Sequence, residues 1–274
     1  MPDQPSTKPA QGKKQPRVAL YVTCLVDSLR PEIGFACVKL IESLGFAVEV
    51  PSGQTCCGQP GYNGGHWPQA RQVAKVQIQA LEGFEYIVVP SGSCAGMIIN
   101  HYPKLFADDP IWLPRAERVA TRTRELCQFL VEQQWQTKVS KQVNQQHPPT
   151  HQMTWAYHTS CSCRRETRSH LMGAQLLTEV GVKLGPIKDQ EVCCGFGGTF
   201  AAKYDVLSRR MGQNKLHAAK ECGANGVTAA DLGCLLQLQS LDEHAFEFRH
   251  IAEVLADQVG SEEHTHTGSK EESR

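Results

Sequence analysis

One pattern of four cysteines is written twice in the sequence: a single cysteine, a Cys-Cys-Gly tripeptide and a further cysteine. The cysteines of the two copies are Cys24, Cys56, Cys57 and Cys94, then Cys161, Cys193, Cys194 and Cys234. In both copies the single cysteine precedes the first cysteine of the tripeptide by 32 positions. Such a repeat predicts two similar structural units, each with four thiolates available for chemistry.

Four thiolates in one unit can hold either a tetrahedral zinc ion or an iron-sulfur cluster. Zinc sites usually pair cysteines two to four residues apart, whereas the paired cysteines here are adjacent in sequence. Adjacent side chains in an extended segment diverge, which suits a cluster with several irons better than a single ion. The pattern therefore favours iron-sulfur clusters, with a zinc site and redox thiols or disulfides as alternatives.

Other residues near the repeated pattern have several possible roles. Cys163 could be a fifth ligand or a reactive thiol, and His158 could tune a cluster, relay a proton or be a hydrogen-bonded structural histidine. Cys37 and Cys127 fall on apolar helix faces and are predicted to lie in the core. Cys222 has no clear role, and the pattern assigns no catalytic residue.

The glycines after the cysteine pairs indicate tight turns. Gly58 and Gly195 permit positive φ or a close backbone approach to a ligand. Residues 195–198 form either an amide nest for an anionic cluster or a plain turn. Phe200 stands where a dinucleotide fingerprint requires glycine, so that motif is excluded. The arginines that could balance an anionic cluster or lie on a solvated helix face are Arg30, Arg164, Arg165 and Arg168.

Composition predicts a cytoplasmic globular protein. The 274-residue chain has zero formal net charge and a pI of about 7.1, which does not favour binding to nucleic acid or to an anionic membrane. Residues 1–16 contain no apolar signal-peptide core, and no apolar run is long enough for a membrane span. In a reducing compartment the 12 cysteines argue for metal ligation rather than structural disulfides.

Alternating apolar strands and amphipathic helices predict an α/β fold with parallel sheets. The predicted strands are residues 18–22, 47–50, 86–89, 153–157, 182–187, 226–229 and 246–250. The predicted helices include residues 31–44, 67–81, 119–134, 166–180, 203–220, 235–244 and 251–258. We expect two pseudo-symmetric Rossmann-like halves, with the cysteines at the carboxyl edges of the strands, where open parallel sheets bind ligands.

The predicted domain boundaries follow changes in composition. Residues 1–16 are expected to be a disordered leader and residues 259–274 a disordered tail. The first half spans residues 17–134, a polar linker spans residues 135–151, and the second half spans residues 152–258.

The two copies resemble the CCG cysteine-rich domain family, and within it the lactate-utilization branch. The resemblance covers roughly residues 17–257 through the motifs VTCLVDSLRP, TCCGQPGYNGG, PSGSCAGM, YHTSCSCRR, CCGFGGTF, AADLGC and RHIAEVL. That family includes heterodisulfide reductase B-like iron-sulfur proteins and the iron-sulfur components of glycolate and glycerol-3-phosphate oxidation systems. The doubled pattern is highly specific for the family and less specific for substrate.

The resemblance implies an iron-sulfur redox subunit that oxidises L-lactate, or a related 2-hydroxy acid such as glycolate, only within a complex. Its implied partners are a ferredoxin-like iron-sulfur subunit and a further lactate-utilization subunit. The fuller family pattern ends in Cys-x-x-Cys, but Met97 and Gln237 replace the second cysteine here. One 4Fe-4S cluster per half is therefore the expected cofactor, with a three-iron cluster as the alternative type. The alternatives are a heterodisulfide reductase-like thiol/disulfide enzyme and a zinc-binding scaffold.

Overall fold

Two four-stranded sheets organise the protein. The computed structural model describes residues 15–139 and 153–259. The strands are β1 (Arg17–Leu20), β2 (Ala47–Glu49), β3 (Tyr86–Val89), β4 (Thr123–Glu125), β5 (Thr154–His158), β6 (Lys183–Leu184), β7 (Gly226–Ala229) and β8 (Glu247–His250). The strand orders are β2-β1-β3-β4 and β6-β5-β7-β8, and all pairs are parallel. The expected α/β fold with two Rossmann-like halves is confirmed.

Helices connect the strands of both sheets. In the first half they are α1 (Cys24–Leu29), α2 (Glu32–Glu42), α3 (Gln59–Asn63), α4 (Trp67–Leu81), α5 (Gly92–Gly96), a π-helical turn (Met97–His101), α6 (Tyr102–Leu105), α7 (Leu113–Arg122), α8 (Leu126–Glu132) and α9 (Trp135–Val139). In the second half they are α10 (Cys161–Arg165), α11 (His170–Glu179), α12 (Thr199–Lys203), α13 (Asp205–Glu221), α14 (Leu232–Gln239) and α15 (Ile251–Ala256). Within the described ranges, no helix is both long and apolar enough to cross a membrane.

The central strands are the apolar runs that the sequence predicts. Val18, Ala19 and Leu20 of β1 are fully buried, as are Ile87 and Val88 of β3. A strand covered on both faces needs apolar side chains at successive positions, which explains the continuous runs. The neighbouring registers bring the carboxyl ends of β1 and β3 together, with Ala19 paired to Ile87.

One predicted helix is wrong. Residues 119–134 contain the end of α7, then β4, then α8 rather than one continuous helix. The Thr-Arg-Glu strand β4 has no apolar alternation of its own, and it is held by pairing with β3, Val88 to Arg124 and Val89 to Glu125. The helical spacing of the surrounding apolar residues therefore concealed a strand that only the tertiary structure specifies.

Other boundaries shift by a few residues, which changes two further predictions. The predicted strand over residues 182–187 is only the two-residue β6, and α11 begins at His170 instead of residue 166 because α10 precedes it. The start of the expected linker folds as α9, where Trp135 is buried and its Nε1 donates to Ser43 Oγ at 3.0 Å. The rest of that linker to residue 151, most of the expected leader and most of the expected tail lie outside the described residues.

Helices from one half pack on the other. The last helix, α15, packs on α2, and Lys39 Nζ donates to the carbonyl oxygen of Ala256 at 2.9 Å. Reciprocally, α8 packs on α11, and Gln128 Nε2 donates to the carbonyl oxygen of Thr167 at 2.5 Å. A continuous apolar core includes residues such as Leu40 from the first half together with residues of the second. These two helix–helix contacts between the halves fix the two sheets relative to each other.

Candidate functional site

All eight cysteines of the doubled pattern line one cavity of about 290 Å³. Residues of both halves form its wall, so the two sets of four thiols face a common space. Cys24 and Cys161 are the first residues of α1 and α10, directly after β1 and β5. The structure thus gathers the predicted residues at the carboxyl edges of the sheets. Their role as cofactor ligands stays a prediction.

Hydroxyl groups at the starts of the helices fix the single cysteines. Thr23 Oγ1 accepts from the amide of Val26 at 3.4 Å, and Ser160 Oγ accepts from the amide of Cys163 at 3.1 Å. Ser91 Oγ similarly accepts from the amide of Cys94 at 3.3 Å. Such caps satisfy helix amides that have no intrahelical partner and define where the chain leaves the strand.

Each Cys-Cys-Gly tripeptide forms a turn that requires its glycine. The φ angles of Gly58 and Gly195 are 84° and 89°, which confirms the predicted left-handed backbone. Their amides point at the preceding thiol groups, at 3.4 Å from Cys56 Sγ and 3.3 Å from Cys193 Sγ. A Cβ on Gly195 would lie only 2.4 Å from the carbonyl oxygen of Ser208, so no larger residue fits there without movement.

In the first half, contacts among the thiols strongly shift their acidities. The pKa of Cys56 is lowered far below its usual value because the side chains of Cys24 and Cys57 both donate hydrogen bonds to its sulfur. The same interactions raise the pKa values of Cys24 and Cys57, with burial adding to the effect. Cys57 is also in contact with Cys94. The four sulfurs therefore form a connected group in which Cys56 ionises first.

The second half repeats this arrangement. Hydrogen bonds from Cys161 and Cys194 lower the pKa of Cys193 far below its usual value. The pKa of Cys234 is lowered to about 7, chiefly because Cys194 donates to it, with a smaller effect of His158. Because both halves show the same order of contacts, the doubled sequence pattern corresponds to a doubled arrangement of sulfurs.

His158 lies against the second group of thiols. One of its ring nitrogens and the sulfurs of Cys194 and Cys234 all lie within 4.8 Å of one another. The side chain is buried, and its contact with the sulfur of Cys234 lowers the pKa of that thiol. An imidazole in this position can donate a hydrogen bond to a thiolate or bind a metal.

The donor set fits an iron-sulfur cofactor or another thiophilic metal. All twelve cysteines are free thiols, and the buried second cysteine of each pair is almost inaccessible to water. Soft thiolates select zinc, copper(I) or iron-sulfur clusters over oxygen-seeking cations. Gly197 and Gly198, with φ of 48° and 60°, also line the cavity and could turn backbone amides toward an anionic group.

Several residues considered from the sequence lie away from the thiol groups. Cys37 and Cys127 are fully buried in the core, as predicted, and Cys222 donates to the carbonyl oxygen of Ala219 at 3.1 Å. Cys163 is buried and its sulfur donates to Asp231 Oδ2 at 3.6 Å instead of lining the cavity. Arg30 donates to the carbonyl oxygen of Phe248 and is engaged between the halves.

The hydrogen bond to Cys193 raises the pKa of Cys161, and the nearby charge of Arg165 lowers it by a smaller amount. Arg164 Nη1 donates to Thr159 Oγ1 at 3.1 Å. Arg168 has a positive φ of 60°. A role of these arginines in balancing the charge of a cluster stays a prediction.

A buried carboxylate that the sequence analysis missed joins the two sites. Asp231 Oδ1 accepts from Ser91 Oγ at 2.7 Å and from the amide of Ser93 at 3.0 Å. Its Oδ2 accepts from Ser160 Oγ and from the thiol of Cys163. The available signal was positional, because Asp231 and Ser91 each lie three residues before the last cysteine of their copy.

Glu125 is a second buried carboxyl group near this junction. Its Oε2 accepts from the amide of Cys127 at 3.0 Å, whereas its Oε1 has no partner within the described part of the chain. Burial, reinforced by the charge of Asp231, raises the pKa of Glu125 from 4.5 to about 7. The folded state therefore holds this proton more tightly than the unfolded state does.

The protein should lose stability as the pH rises from about 4.5 to 7, because Glu125 then ionises in the unfolded chain before it does so in the folded one. The shift corresponds to about 3 kcal/mol at most. We expect Glu125→Gln to remove this dependence. In urea titrations, the unfolding free energy of the variant minus that of the wild type should therefore increase from pH 5 to pH 8. Glu117→Gln, on the exposed side of α7, is the matched control. An unchanged pH profile in Glu125→Gln would contradict the assignment.

Comparison with known proteins agrees with this geometry. The CCG cysteine-rich domain family profile matches residues 18–99 and 155–239, one match in each half. The chain belongs to the CCG cysteine-rich domain family. It is 40% identical over 244 residues to lactate utilization protein A of Bacillus pumilus, covering 87% of this chain and 98% of that protein. It is 39% identical over 254 residues to lactate utilization protein A of Halalkalibacterium halodurans, covering 90% of this chain and 99% of that protein.

A third relative, lactate utilization protein A of an Exiguobacterium species, is 40% identical over 250 residues, covering 89% of this chain and 98% of the relative. The family matches include every cysteine of the doubled pattern. They also include Met97 and Gln237 at the positions where the fuller motif would have a further cysteine. The matched ranges therefore contain all eight cysteines that line the cavity.

Proposed function

We propose that this protein is an iron-sulfur redox subunit of a cytoplasmic system that oxidises L-lactate or a related 2-hydroxy acid. The observation that carries the proposal is the convergence of all eight patterned cysteines on one cavity between the halves. The names of the relatives supply the link to lactate utilization. The two halves would span residues 17–134 and 152–258.

Each half would hold one cluster, of the 4Fe-4S type, through its four cysteines. The ligands would be Cys24, Cys56, Cys57 and Cys94 in the first half and Cys161, Cys193, Cys194 and Cys234 in the second. When bound, such a cluster accepts and releases one electron at a time. The residues of the chain position the thiolates, exclude water from the inner ones and supply backbone amides at the Cys-Cys-Gly turns.

The chain needs partners for the chemical step on lactate. Removal of a hydride from a secondary alcohol requires an acceptor such as a flavin or a nicotinamide and a base for the proton. The sequence contains no dinucleotide fingerprint, since Phe200 occupies the position of its last glycine. A ferredoxin-like iron-sulfur subunit and a further lactate-utilization subunit would therefore complete the complex.

The test is a lactate oxidation assay with an artificial electron acceptor, on the purified chain and on the chain co-expressed with its partner subunits. We expect activity only in the complex. Robust lactate oxidation by the single chain would contradict the electron-carrier role. Reduction of small disulfides by the single chain would favour the heterodisulfide reductase-like alternative, and stoichiometric zinc without sulfide would favour a zinc scaffold.

A further inference from the structure

The helices α4 and α13 carry matching rows of buried residues, one row in each half of the protein. The row on α4 is Ala70, Ala74, Gln77, Ile78 and Leu81, and the row on α13 is Ser208, Gly212, Lys215, Leu216 and Ala219. The spacing within the two rows is identical, so each position in the first half has a counterpart in the second. At the third position, the neutral amide of Gln77 in the first half corresponds to the cation of Lys215 in the second.

The row on α13 packs directly on the cysteine pair of the second half. A Cβ on Gly212 would lie 3.2 Å from the carbonyl oxygen of Cys194. Ser208 Oγ donates to the carbonyl oxygen of Gly195 at 2.8 Å. Lys215 follows Gly212 by three residues and therefore lies on the same face of the helix, one turn further along. It thus belongs to the helix face that covers two of the four predicted ligands.

Lys215 brings a positive charge into the interior beside this site. The residue is only 4% exposed, and its Nζ donates to the carbonyl oxygen of Asp189 at 2.7 Å. That acceptor is neutral, so the bond satisfies the ammonium group without cancelling its charge. Burial lowers the pKa of this lysine, and negative charge on Glu191, Cys194 and Cys193 opposes the effect. The cation therefore interacts electrostatically with the second group of thiols.

The corresponding side chain of the first half bonds to the polypeptide without carrying a charge. Gln77 is fully buried, and its Nε2 donates to the carbonyl oxygen of Thr55, the residue before the first cysteine pair. A glutamine amide is neutral, so it contributes a hydrogen bond and no counter-charge. The two sites are therefore alike in their four thiols and unlike in the charge that this helix position supplies.

We propose that Lys215 is a charge partner of the second cysteine site and raises the reduction potential of the iron-sulfur cofactor held there. Reduction adds one negative charge to a cluster, and a nearby buried cation stabilises the reduced form more than the oxidised form. Lys215 acts through its charge and is not a ligand, so the four cysteines keep all of the iron positions. The inference rests on the proposed function, because it assumes a redox cofactor in the second half.

The deciding experiment is a redox titration of the anaerobically reconstituted full chain, followed by electron paramagnetic resonance. The wild type is compared with Lys215→Gln, which places the residue of the first half in the second. At a given solution potential, the ratio of reduced to oxidised cluster in one centre should fall about tenfold, equivalent to about 59 mV for a one-electron centre. Lys215→Arg keeps the charge and should keep a potential near that of the wild type.

Two further variants test whether the position of the charge matters. Lys220→Gln removes the same charge from an exposed position of α13 and should leave both potentials unchanged, because solvent and salt screen that charge. Gln77→Lys introduces a cation at the corresponding position of the first half and should raise the potential of the other centre. The comparison of Lys215→Gln with Lys220→Gln decides the inference even if Gln77→Lys does not fold. The carboxylate of Asp231 also lines the cavity, but it is present in all of these variants.

Two results would overturn the inference. One is a pair of potentials in Lys215→Gln equal to those of the wild type. The other is loss of the second cluster from both Lys215→Gln and Lys215→Met while the fold survives, because the lysine would then be needed for assembly and not for the potential. Failure of the proposed function is distinguishable, since the wild-type chain would then contain no iron or acid-labile sulfide in the analysis that precedes the titration.

Discussion

Replacement of Cys194 by serine is expected to remove the cofactor of the second half and leave that of the first. Iron and acid-labile sulfide per chain should fall to about half of the wild-type values, because a buried cluster depends on its thiolate ligands. Cys194 is 1% exposed and contacts both Cys193 and Cys234, so it lies at the centre of its group of sulfurs. The measurement is anaerobic iron and sulfide analysis, combined with the visible absorption of the protein.

The pseudo-symmetry supplies the controls for this experiment. Cys57→Ser should remove the other half of the iron, and the double variant should hold none. Cys222→Ser changes a cysteine outside the cavity and should keep the wild-type content. Lactate-dependent reduction in the assembled complex should be lost in Cys194→Ser. Full iron content in that variant, or loss of all iron from it while the fold survives, would contradict independent sites.

Asp231→Ala is expected to destabilise the protein strongly, because one buried carboxylate bonds to residues of both halves. The substitution removes the acceptor for Ser91 Oγ and for the amide of Ser93, which belong to the first half. It also removes the acceptor for Ser160 Oγ, which belongs to the second half together with Asp231. Each buried donor left unpaired costs about 1–3 kcal/mol, and hydroxyl groups can partly find new partners, so we expect a loss of about 3 kcal/mol. Urea unfolding of the cofactor-free protein measures this loss.

Two control variants test whether the loss of stability comes from the buried hydrogen bonds of Asp231. Asp231→Asn keeps one oxygen for Ser91 and Ser93 but turns a donor toward Ser160 and should be less harmful than alanine. Asp205→Ala removes a largely exposed carboxylate that pairs with Arg209, and it should change the unfolding free energy by less than about 0.5 kcal/mol. If Asp231→Ala were no worse than Asp205→Ala, the carboxylate would not be what joins the two halves.

The fold was predictable where the sequence carries its own signal. The strands β3 and β7 and the helix α4 lie at the predicted residues, since apolar runs and helical spacing are local properties. The strand β4 was not predictable, because Thr-Arg-Glu is polar and becomes a strand only beside β3. The packing of α15 on α2 and of α8 on α11 was likewise not predictable, because it depends on contacts between residues far apart in sequence.

The candidate site was predictable for the cysteines and not for their neighbours. The doubled spacing placed four sulfurs at the carboxyl edge of each sheet, although it did not indicate that both sets share a cavity. Asp231 stands three residues before Cys234, as Ser91 does before Cys94, but this spacing alone does not indicate a buried carboxylate that bonds to both halves. The approach of His158 to the sulfurs of Cys194 and Cys234 required coordinates, because a distance between side chains cannot be recognised from residue types.

The most direct test of the central claim is metal and sulfide analysis of the full chain purified without oxygen. We predict iron and acid-labile sulfide in equal amounts, enough for one cluster in each half, and a visible absorption that bleaches on reduction. Stoichiometric zinc with no labile sulfide, even after anaerobic reconstitution with iron and sulfide, would contradict this claim.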